Sequence, residues 1–432
     1  KVLSGETVFK LYDTYGFPVD LTADVARENN LSIDMDGFEQ AMSVQKDQAR
    51  SASNFSAVSK LEIDTAQKNT EFTGYENLDG SASVVAIYLD EKAVSEISGE
   101  VDALLLLDKS PFYGESGGQI GDSGVLENES MRFSVNDTQK QKDYLIHSGS
   151  LQSGALKVGD KLVAKVSPSD RAAITLNHSA THLMHAALRN TLGEHVAQKG
   201  SLVTANHLRF DFSHPVAVTQ DELGLIESAV NQEILENSDV SKQVMSIDEA
   251  KAQGAMALFG EKYGDEVRVV SMGGTFSTEL CGGTHINRTG DIGLFKIVSE
   301  SGIAAGIRRI EAVAGSGALD YVNKEEQTLK EVCDIVKTSN DGLVEKVRQL
   351  AAQTRTLEKQ LEQMKAKMAS SAGTDLASQA EDVNGIKLLA AVVEGFNSKA
   401  LRDTVDQLKN KLGSSVVVLA SSDGGKVSLV AG

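Results

Sequence analysis

Cysteine is nearly absent from this sequence, with two among 432 residues. Two cysteines cannot form the disulfide framework that stabilises many secreted proteins, so their scarcity predicts a reducing compartment. Long apolar runs are absent too: no stretch approaches the roughly 20 residues that span a bilayer, and no charged-then-apolar leader opens the chain. We therefore expect a cytoplasmic protein with no membrane segment.

Positive charge is also scarce, because 42 Lys and Arg stand against 61 Asp and Glu, a net charge of −19. This balance argues against indiscriminate binding to nucleic acid, since phosphate contacts need Lys and Arg. An RNA partner would have to meet local basic patches. The length suits several domains, each with its own core. The chain begins at Lys1 without Met and ends straight after a strand-like pattern, so we expect a fragment of a longer protein.

Two short segments stand out among what is present: His178 with His182, and Cys281 with His285. Histidines four positions apart lie on one face of a helix, and the two glycines after Cys281 suit a tight turn. This mixed set of nitrogen and sulfur ligands suits Zn²⁺, at roughly 2.0–2.3 Å. Either segment alone is weak evidence, since a histidine on an apolar helix is usually a core residue. Together they predict one zinc ion per chain.

The zinc prediction does not extend to a metalloprotease. The residues between the two helical histidines are Ser, Ala and Thr, so the glutamate that serves such enzymes as general base is missing. Four protein ligands are also typical of a closed structural zinc, whereas a catalytic zinc keeps an open position. We therefore expect the metal to position a substrate more than to supply hydroxide.

The hydrophobic pattern predicts a multidomain α+β protein. Residues 1–57 are expected to be helical, and residues 58–166 show short β-branched runs that are typical of a small β-barrel. Residues 167–318 mix helices with antiparallel-looking strands, which predicts a two-layer α+β core. The first helix of that core is expected to have Ser169 as its N-cap and to end at Gly193.

The remaining residues predict a helical hairpin at 319–368, then a linker and an incomplete C-terminal domain at 369–432. Apolar residues repeat at heptad spacing from Leu343 to Met368 in the second hairpin helix. An excess of Lys and Arg there is usually a solvated face, although such a face can also contact a phosphate backbone. Residues 369–382 are rich in Ala and Ser, which is typical of a linker. A β-α-β-β pattern follows.

A glycine-rich segment at 112–122 lies inside the predicted barrel. One interpretation is a hairpin loop whose glycines supply positive φ angles. The other is a loop that lets the backbone approach a substrate closely. The sequence pattern favours the hairpin loop.

Several motifs resemble those of bacterial alanyl-tRNA synthetases. They are LYDTYGFP at 11–18, GESGGQIG at 114–121, NHSATHL at 177–183, QKGS at 198–201, CGGTH at 281–285 and GIRRIE at 306–311. The threonyl enzymes share a similar His/His and Cys/His core, but the glycine-rich loop and the segment at 11–18 resemble the alanyl family. The resemblance covers the whole chain and implies that the class II aminoacylation core, which uses ATP, lies upstream of Lys1.

The resemblance implies an editing activity for this part of the protein, with tRNA(Ala) as the partner. Its zinc domain would hydrolyse Ser-tRNA(Ala) and Gly-tRNA(Ala), while the parent enzyme attaches alanine to tRNA(Ala) with ATP. A second site is useful because an apolar pocket discriminates a methylene or a hydroxyl by only about 1–3 kcal/mol. A site that binds the serine hydroxyl rejects alanine, because alanine leaves its polar groups unpaired. How alanine is spared relative to glycine stays open.

The resemblance also implies roles for single residues. His178, His182, Cys281 and His285 would bind zinc, with Cys281 and His285 important for editing and Gln198 tuning it. Thr181, on the same helix, is our own candidate for a hydroxyl partner of the substrate.

By the same resemblance, Asp13 would recognise the G·U base pair in the minor groove of the acceptor stem. An ordinary carboxylate at a helix end explains it equally well. The helical and C-terminal regions would, by the same resemblance, support homo-oligomer formation or contact with the tRNA elbow.

Two alternatives stay open. The first is a zinc hydrolase that acts on another ester. The second is a non-catalytic module in which zinc stabilises a tRNA-binding fold. Metal content together with a Ser-tRNA deacylation assay would distinguish them.

Overall fold

The computed structural model describes residues 2–15, 17, 19–28, 31–35, 37–38, 41–42, 63, 69–256, 264–393, 396, 398–423 and 426–432. The chain divides into two units, Lys1–Lys324 and Glu325–Gly432. Helices and several mostly antiparallel sheets occur together, which confirms the predicted mixture of α and β structure. Among the described residues, none of the helices combines the length and the apolar character that crossing a membrane requires.

The first elements are two short strands and two helices. They are β1 (Val2–Leu3), α1 (Gly5–Tyr15), α2 (Val19–Glu28) and β2 (Ser32–Ile33), and the two strands pair in parallel. Asp13 lies in α1, and its side chain is outside what the structure describes. Its proposed tRNA contact therefore stays a prediction.

A closed barrel follows, as the short β-branched runs predicted. Its region contains β3 (Glu71–Phe72), β4 (Asp79–Leu89), β5 (Lys92–Val94), β6 (Glu96–Ser98), β7 (Val101–Leu107), β8 (Lys109–Ser110), β9 (Gly124–Glu127), β10 (Arg132–Gln141), β11 (Tyr144–Ser153), β12 (Ala155–Lys157) and β13 (Lys161–Val166). Six strands close it in the order β4-β7-β11-β10-β9-β13, because β13 also pairs with β4. Alternate residues such as Leu105, Leu126 and Phe133 are fully buried inside.

The glycine-rich segment at 112–122 joins β8 to β9, and these strands do not pair with each other. The expected tight turn is nevertheless present inside the segment: Gly117 and Gly118 have positive φ angles of 59° and 86°, and Ser116 and Gln119 exchange backbone hydrogen bonds across them. The hairpin interpretation is therefore right for this turn but not for the whole segment. The loop leaves the barrel instead. Its Ile120 amide donates to the carbonyl of Val203, and the Val203 amide donates to the carbonyl of Gly118.

The helix that carries the two predicted histidine ligands is α3 (Pro168–Leu192). Its N-cap is Ser167 and not Ser169, because Pro168 already occupies the first turn, where its missing N–H costs nothing. The helix ends before Gly193, as predicted. One face of α3 packs Leu183, Met184 and Leu188 into the core.

The rest of the core builds two antiparallel sheets. Its elements are β14 (Gln198–Val203), β15 (Leu208–Ser213), α4 (Gln220–Glu236), β16 (Ser241–Ser246), α5 (Ile247–Ala252), β17 (Glu266–Met272), β18 (Ser277–Leu280), β19 (Phe295–Ala304) and β20 (Ile307–Ala314). The sheets have the orders β14-β15-β20-β19 and β16-β17-β18. Phe210, Ile226 and Phe295 are fully buried in the core. Residues 281–288, which follow β18, form the ligand loop.

The chain continues through α6 (Ser316–Val336), α7 (Leu343–Leu376), β21 (Glu381–Val383), β22 (Ile386–Val392), α8 (Ser398–Leu412), β23 (Ser415–Asp423) and β24 (Lys426–Ala431). The predicted β-α-β-β pattern is present, with β21 added at the sheet edge. The predicted linker is wrong in its first half, since Ala and Ser are compatible with a helix and α7 continues to Leu376. The heptad positions Val347, Leu357 and Leu361 are exposed, so they do not form the packed hairpin seam that we expected.

Candidate metal centre

Four predicted ligands that lie far apart in the sequence meet in the folded chain. Helix α3 presents His178 and His182 on one face, and the ligand loop supplies Cys281 and His285. One ligand atom from each of the four lies within 4.8 Å of the others. The i, i+4 spacing explains how the two helical imidazoles come together, with ring centroids 5.2 Å apart.

The imidazole of His178 is oriented by Gln119, which lies in the glycine-rich segment at 112–122, called the barrel loop below. Nδ1 of His178 and Oε1 of Gln119 are 2.7 Å apart. That oxygen also accepts the backbone N–H of Thr284 at 3.0 Å, which identifies it as the acceptor end of the amide. Nδ1 of His178 is therefore the protonated nitrogen, and the lone pair of Nε2 faces Cys281 Sγ at 3.5 Å.

His182 is oriented by a buried carboxylate. Oε2 of Glu279, on β18, lies 2.8 Å from Nδ1 of His182, and Oε1 lies 3.0 Å from Nδ1 of His185. Nε2 of His182 is buried and has no hydrogen-bond partner among the residues that the structure describes. His185, on the same face of α3, therefore supports the carboxylate and does not join the four ligands.

His285 is oriented by a hydroxyl of α3, which is called the metal helix below because it carries His178 and His182. Its Nδ1 lies 3.1 Å from Oγ of Ser179, and that hydroxyl donates to the carbonyl of Thr175 at 2.9 Å. Because the hydroxyl proton is used in this way, Nδ1 of His285 is the donor to Ser179. Its Nε2 lone pair then faces Cys281 Sγ at 3.2 Å.

This arrangement fits a zinc ion. Each of the three imidazoles has its Nδ1 proton held by an acceptor, which leaves three Nε2 lone pairs and one sulfur facing a common centre. Nitrogen and sulfur ligands on a tetrahedral zinc are about 3.5 Å apart, given the usual bond lengths. The distances of 3.5 Å and 3.2 Å from Cys281 Sγ agree with that geometry.

Without metal, the electrostatics favour these protonation states at Cys281, His285 and Glu279 but not at His182. Burial opposes protonation of His182, yet Glu279 and Cys281 raise its pKa to about 10, so a metal ion would have to displace its Nε2 proton. Burial alone would raise the pKa of the Cys281 thiol, but the imidazoles of His178 and His285 lower it well below its usual value. Burial lowers the pKa of His285 to about 3, so this imidazole is neutral. Burial opposes ionisation of Glu279 as well, yet His182 and His185 lower its pKa. A thiolate, a neutral imidazole and an ionised supporting carboxylate are what a zinc site requires.

A cavity of about 340 Å³ opens onto this cluster. Its walls include Tyr113 and Ser116 from the barrel loop, Lys140 from β10, Arg268 from β17, and Cys281 itself. Cys281 is only half-buried, so the sulfur side of the cluster faces the cavity. Glu266 lines the cavity as well, so two cationic side chains and one carboxylate give its walls a small excess of positive charge in an acidic chain.

The ligand loop is held in place by Arg268 and Tyr75. Arg268 Nη1 donates to the carbonyls of Cys281 and Gly283, at 2.9 Å each. The Tyr75 hydroxyl donates to the carbonyl of Gly282 at 2.9 Å, and the Arg268 guanidinium lies over the Tyr75 ring. Gly283 does not have a positive φ angle, so backbone conformation does not require a glycine there. A side chain is excluded because a Cβ would collide with the His178 ring.

The barrel loop is attached to the metal helix by Arg171. This buried guanidinium pairs with Asp122, and it donates to the carbonyl of Gly74 at 2.7 Å and to that of Pro111 at 2.9 Å. Asp122 in turn accepts the amide of Tyr113 at 2.6 Å. Both ends of the glycine-rich segment are thereby held two helical turns before His178.

The two predicted specificity residues have different environments. Thr181 is buried on α3, and its hydroxyl donates to the carbonyl of Asn177 at 2.8 Å, which leaves its lone pairs available. Gln198 begins β14 opposite Phe212, just before an irregularity in the pairing. The same strand contacts the glycine-rich loop at its other end, through Val203. Roles for both residues stay predictions.

The sequence interpretation did not find Gln119, Glu279, Ser179, Arg171 or Arg268. A family signal was available for Gln119 and Ser179, because they lie within the motifs at 114–121 and 177–183. The strand that carries Glu279 was not predicted either. Each of these side chains acquires its role through a partner that is distant along the chain.

Known proteins that are similar to this chain are aminoacyl-tRNA synthetases. Residues 1–170 match a family model described as class II (A) tRNA synthetases, and residues 267–311 match the second additional domain of threonyl and alanyl tRNA synthetases. The second match includes Arg268, Glu279, Cys281 and His285. The alanine–tRNA ligases of Pseudomonas fluorescens and Pseudomonas syringae pv. syringae are 54% and 55% identical over 100% of this chain, and that of Pseudomonas entomophila is 52% identical. The chain belongs to the alanyl-tRNA synthetase family.

The chain spans 49% of the length of each of these relatives. The part of the chain that matches the second additional domain, residues 267–311, contains β18, the ligand loop and all but the first residue of β17.

Proposed function

We propose that the metal centre hydrolyses the aminoacyl ester of Ser-tRNA(Ala) and Gly-tRNA(Ala). The observation that carries this proposal is the convergence of three oriented imidazoles and one thiolate beneath a cavity that opens at Cys281. The match of residues 267–311 to the domain shared by threonyl and alanyl tRNA synthetases supports the choice of substrate.

His178, His182, Cys281 and His285 would hold one Zn²⁺. When bound, this ion supplies Lewis acidity to an ester carbonyl or a water beside it. The protein itself orients the ligands: Gln119, Glu279 and Ser179 each hold an Nδ1 proton, so the rings cannot rotate away from the centre. Of the four ligands, we assign Cys281 and His285 to catalysis as well, because both belong to the loop that borders the cavity.

Recognition of the substrate would use groups around the cavity. Lys140 and Arg268 provide positive charge where the phosphates of a tRNA 3′ end would approach. We assign Thr181 as the hydroxyl partner of the seryl side chain and Gln198 as a residue that tunes the reaction. A hydroxyl-binding site rejects alanine because its own polar groups lose their partners, a penalty of about 1–3 kcal/mol for each group.

For the whole protein we propose the activity that its relatives are named for, the attachment of alanine to tRNA(Ala) with ATP. The names of the relatives and the class II match at residues 1–170 support this. The predicted reading of the acceptor stem by Asp13 belongs to this wider proposal, as do a cytoplasmic location and homo-oligomer formation through the C-terminal region. The domain boundaries at residues 57, 166, 318 and 368 are proposals of the same kind.

The experiment that tests the editing proposal compares metal content and deacylation in the purified chain. Wild type is expected to contain one zinc per chain and to release serine from Ser-tRNA(Ala) while sparing Ala-tRNA(Ala). Cys281→Ala is expected to abolish serine release, with tRNA binding in a filter assay nearly unchanged. The matched control is Cys333→Ala, because Cys333 is the other free cysteine, lies in the second unit of the chain and donates its thiol to Asn340 there.

Deacylation that survives Cys281→Ala would contradict the proposal. Two other functions make different predictions in the same assay. A zinc-stabilised tRNA-binding module would contain zinc and bind tRNA without releasing serine, and its one supporting observation is the set of four protein ligands. A zinc hydrolase for another ester would cleave simple esters faster than Ser-tRNA(Ala).

A further inference from the structure

The barrel contributes one side chain to the metal centre. Gln119 lies in the glycine-rich loop between β8 and β9, yet it is fully buried beside the ligands of the α+β core. Its Oε1 contacts His178 Nδ1 at 2.7 Å and the Thr284 amide at 3.0 Å, and its Nε2 donates to Thr284 Oγ1 at 3.0 Å. One amide therefore connects the metal helix to the ligand loop.

We propose that Gln119 is a positioning residue that fixes the tautomer and ring direction of His178, which makes the barrel a working part of the metal centre. This inference rests on the proposed zinc site. In the folded chain, a proton on Nδ1 of His178 is donated to Gln119 Oε1. A proton on Nε2 would be donated to Cys281 Sγ, would occupy the nitrogen that faces the metal position, and would leave Gln119 Oε1 opposite a lone pair. The amide thus selects the tautomer that binds metal through Nε2.

The amide cannot turn around to reverse this choice. Its oxygen faces two donors, and one of them is a backbone N–H that can only donate. Its nitrogen faces the Thr284 hydroxyl, which also contacts the hydroxyl of Thr175 on the metal helix. A flipped amide would place N–H against N–H, so the orientation of Gln119 is set by the ligand loop itself.

The backbone around Gln119 leaves no space for an alternative position. A Cβ at Gly118 would press on the Ser201 backbone, and a Cβ at Gly121 would collide with the carbonyl of Thr138. A Cβ at Gly283 would collide with His178 and approach Gln119 Oε1. The glycines thereby allow the barrel loop to pack closely enough for the Gln119 amide to contact both the metal helix and the ligand loop.

The buried pair of Arg171 and Asp122 anchors this loop. Arg171 belongs to the metal helix, and Asp122 lies three positions after Gln119. The loop and the helix are therefore held together close to the bond between Gln119 and His178. This anchor explains how a barrel side chain can orient a ligand of another part of the fold with the accuracy that a metal site needs.

The test measures Co²⁺ affinity and the visible spectrum of the Co²⁺ form for the full chain, by competition with a chelator. Gln119→Met keeps the side-chain volume but removes the acceptor, and we expect its affinity to fall about 10–100-fold with an altered ligand-field spectrum. Gln119→Glu keeps an acceptor for His178 and Thr284, and it is expected to restore the affinity to within about threefold of wild type. If Gln119→Met does not fold, Gln119→Asn replaces it, because the shorter amide cannot reach His178 and should show the same loss.

The matched control is Gln139→Met. Gln139 is a buried glutamine of the same barrel whose side chain donates to Glu115 and Asp137 and, within the described part of the chain, to none of the four ligands. Its variant should bind Co²⁺ like wild type. If Gln119→Met and wild type have equal Co²⁺ affinities and spectra, the positioning role is overturned while the metal site stands. The same conclusion follows if the Gln119 and Gln139 variants lose Co²⁺ affinity equally. A wild-type chain that fails to bind Co²⁺ or Zn²⁺ would instead overturn the proposed metal site.

Discussion

Glu279 Oε2 lies 2.8 Å from Nδ1 of His182, although the two residues are 97 positions apart. This bond joins β18 to the metal helix, and the second oxygen of the same carboxylate contacts His185. The carboxylate is 1% exposed, so solvent cannot replace either contact. Glu279 therefore determines both the direction of the His182 ring and the local charge beside it.

Replacement of Glu279 by Gln should weaken the metal site. A glutamine can still accept from one imidazole, but it has one acceptor oxygen and no charge, so His182 becomes a poorer ligand. We expect the Zn²⁺ affinity to fall about 10–100-fold. Chelator competition would measure this, with Glu227→Gln as the control, since Glu227 pairs with Lys296 elsewhere in the same core. An unchanged affinity would show that His182 does not need the carboxylate.

Removal of the Thr181 hydroxyl should affect discrimination and leave metal binding intact. Thr181→Val is close to isosteric, and it loses one hydrogen bond to the Asn177 carbonyl within α3. If the hydroxyl binds the seryl side chain, serine release should slow by about 5- to 150-fold, which corresponds to about 1–3 kcal/mol. Thr181→Ser keeps the hydroxyl and should retain most of the activity. Equal rates for the Val and Ser variants on Ser-tRNA(Ala) would exclude this role.

Loss of the Arg171 guanidinium should destabilise the fold. The side chains of Arg171 and Asp122 are 6% and 1% exposed, so Arg171→Met leaves a buried carboxylate without its charged partner. We expect the free energy of unfolding to fall by about 3–5 kcal/mol. Urea denaturation would measure it. Arg171→Met combined with Asp122→Asn should recover part of the loss, and a change below about 1 kcal/mol in the single variant would contradict the expectation.

The barrel should lose stability in mild acid because of His147. Burial lowers the pKa of His147 to about 4 from 6.5, although a bond to the Leu105 carbonyl opposes the shift. Between these values the unfolded chain binds a proton that the folded chain does not, so the free energy of unfolding decreases as pH falls. The expected loss from this residue is about 2 kcal/mol between pH 7 and pH 5.

The check is the pH dependence of urea unfolding for wild type and His147→Gln. Glutamine has no titrating group and can still contact Ser110, whose hydroxyl lies 2.7 Å from His147 Nε2. The variant should therefore lose about 2 kcal/mol less than wild type over the same interval. Parallel pH profiles for the two proteins would show that His147 does not titrate in this way.

Local features of the chain could be predicted from the sequence because their causes are local. The i, i+4 spacing placed His178 and His182 on one helix face, and Gly193 marked the end of that helix. Short β-branched runs predicted the barrel strands, since β-branched side chains favour extended backbone. The cysteine and histidine of the ligand loop were recognisable by their chemistry.

The errors arose where the decisive contact was remote. The glycine-rich segment has the composition of a hairpin, but the closed strand order separates its flanking strands and sends the loop to the metal helix. Residues 369–376 have the composition of a linker, yet they continue a helix that begins at Leu343. The heptad pattern of that helix could be seen in the sequence. The pattern shows an apolar stripe, but it does not show whether another helix packs against that stripe.

The sequence by itself thus determined which residue types were available to bind a metal and which short segments carried them. Only the tertiary structure decided which nitrogen of each imidazole faces the centre, because that depends on Gln119, Glu279 and Ser179. Hydrogen bonds of this kind act over about 3 Å, and pairs separated by 59 or 97 positions reach that distance only when the barrel loop and β18 pack against α3.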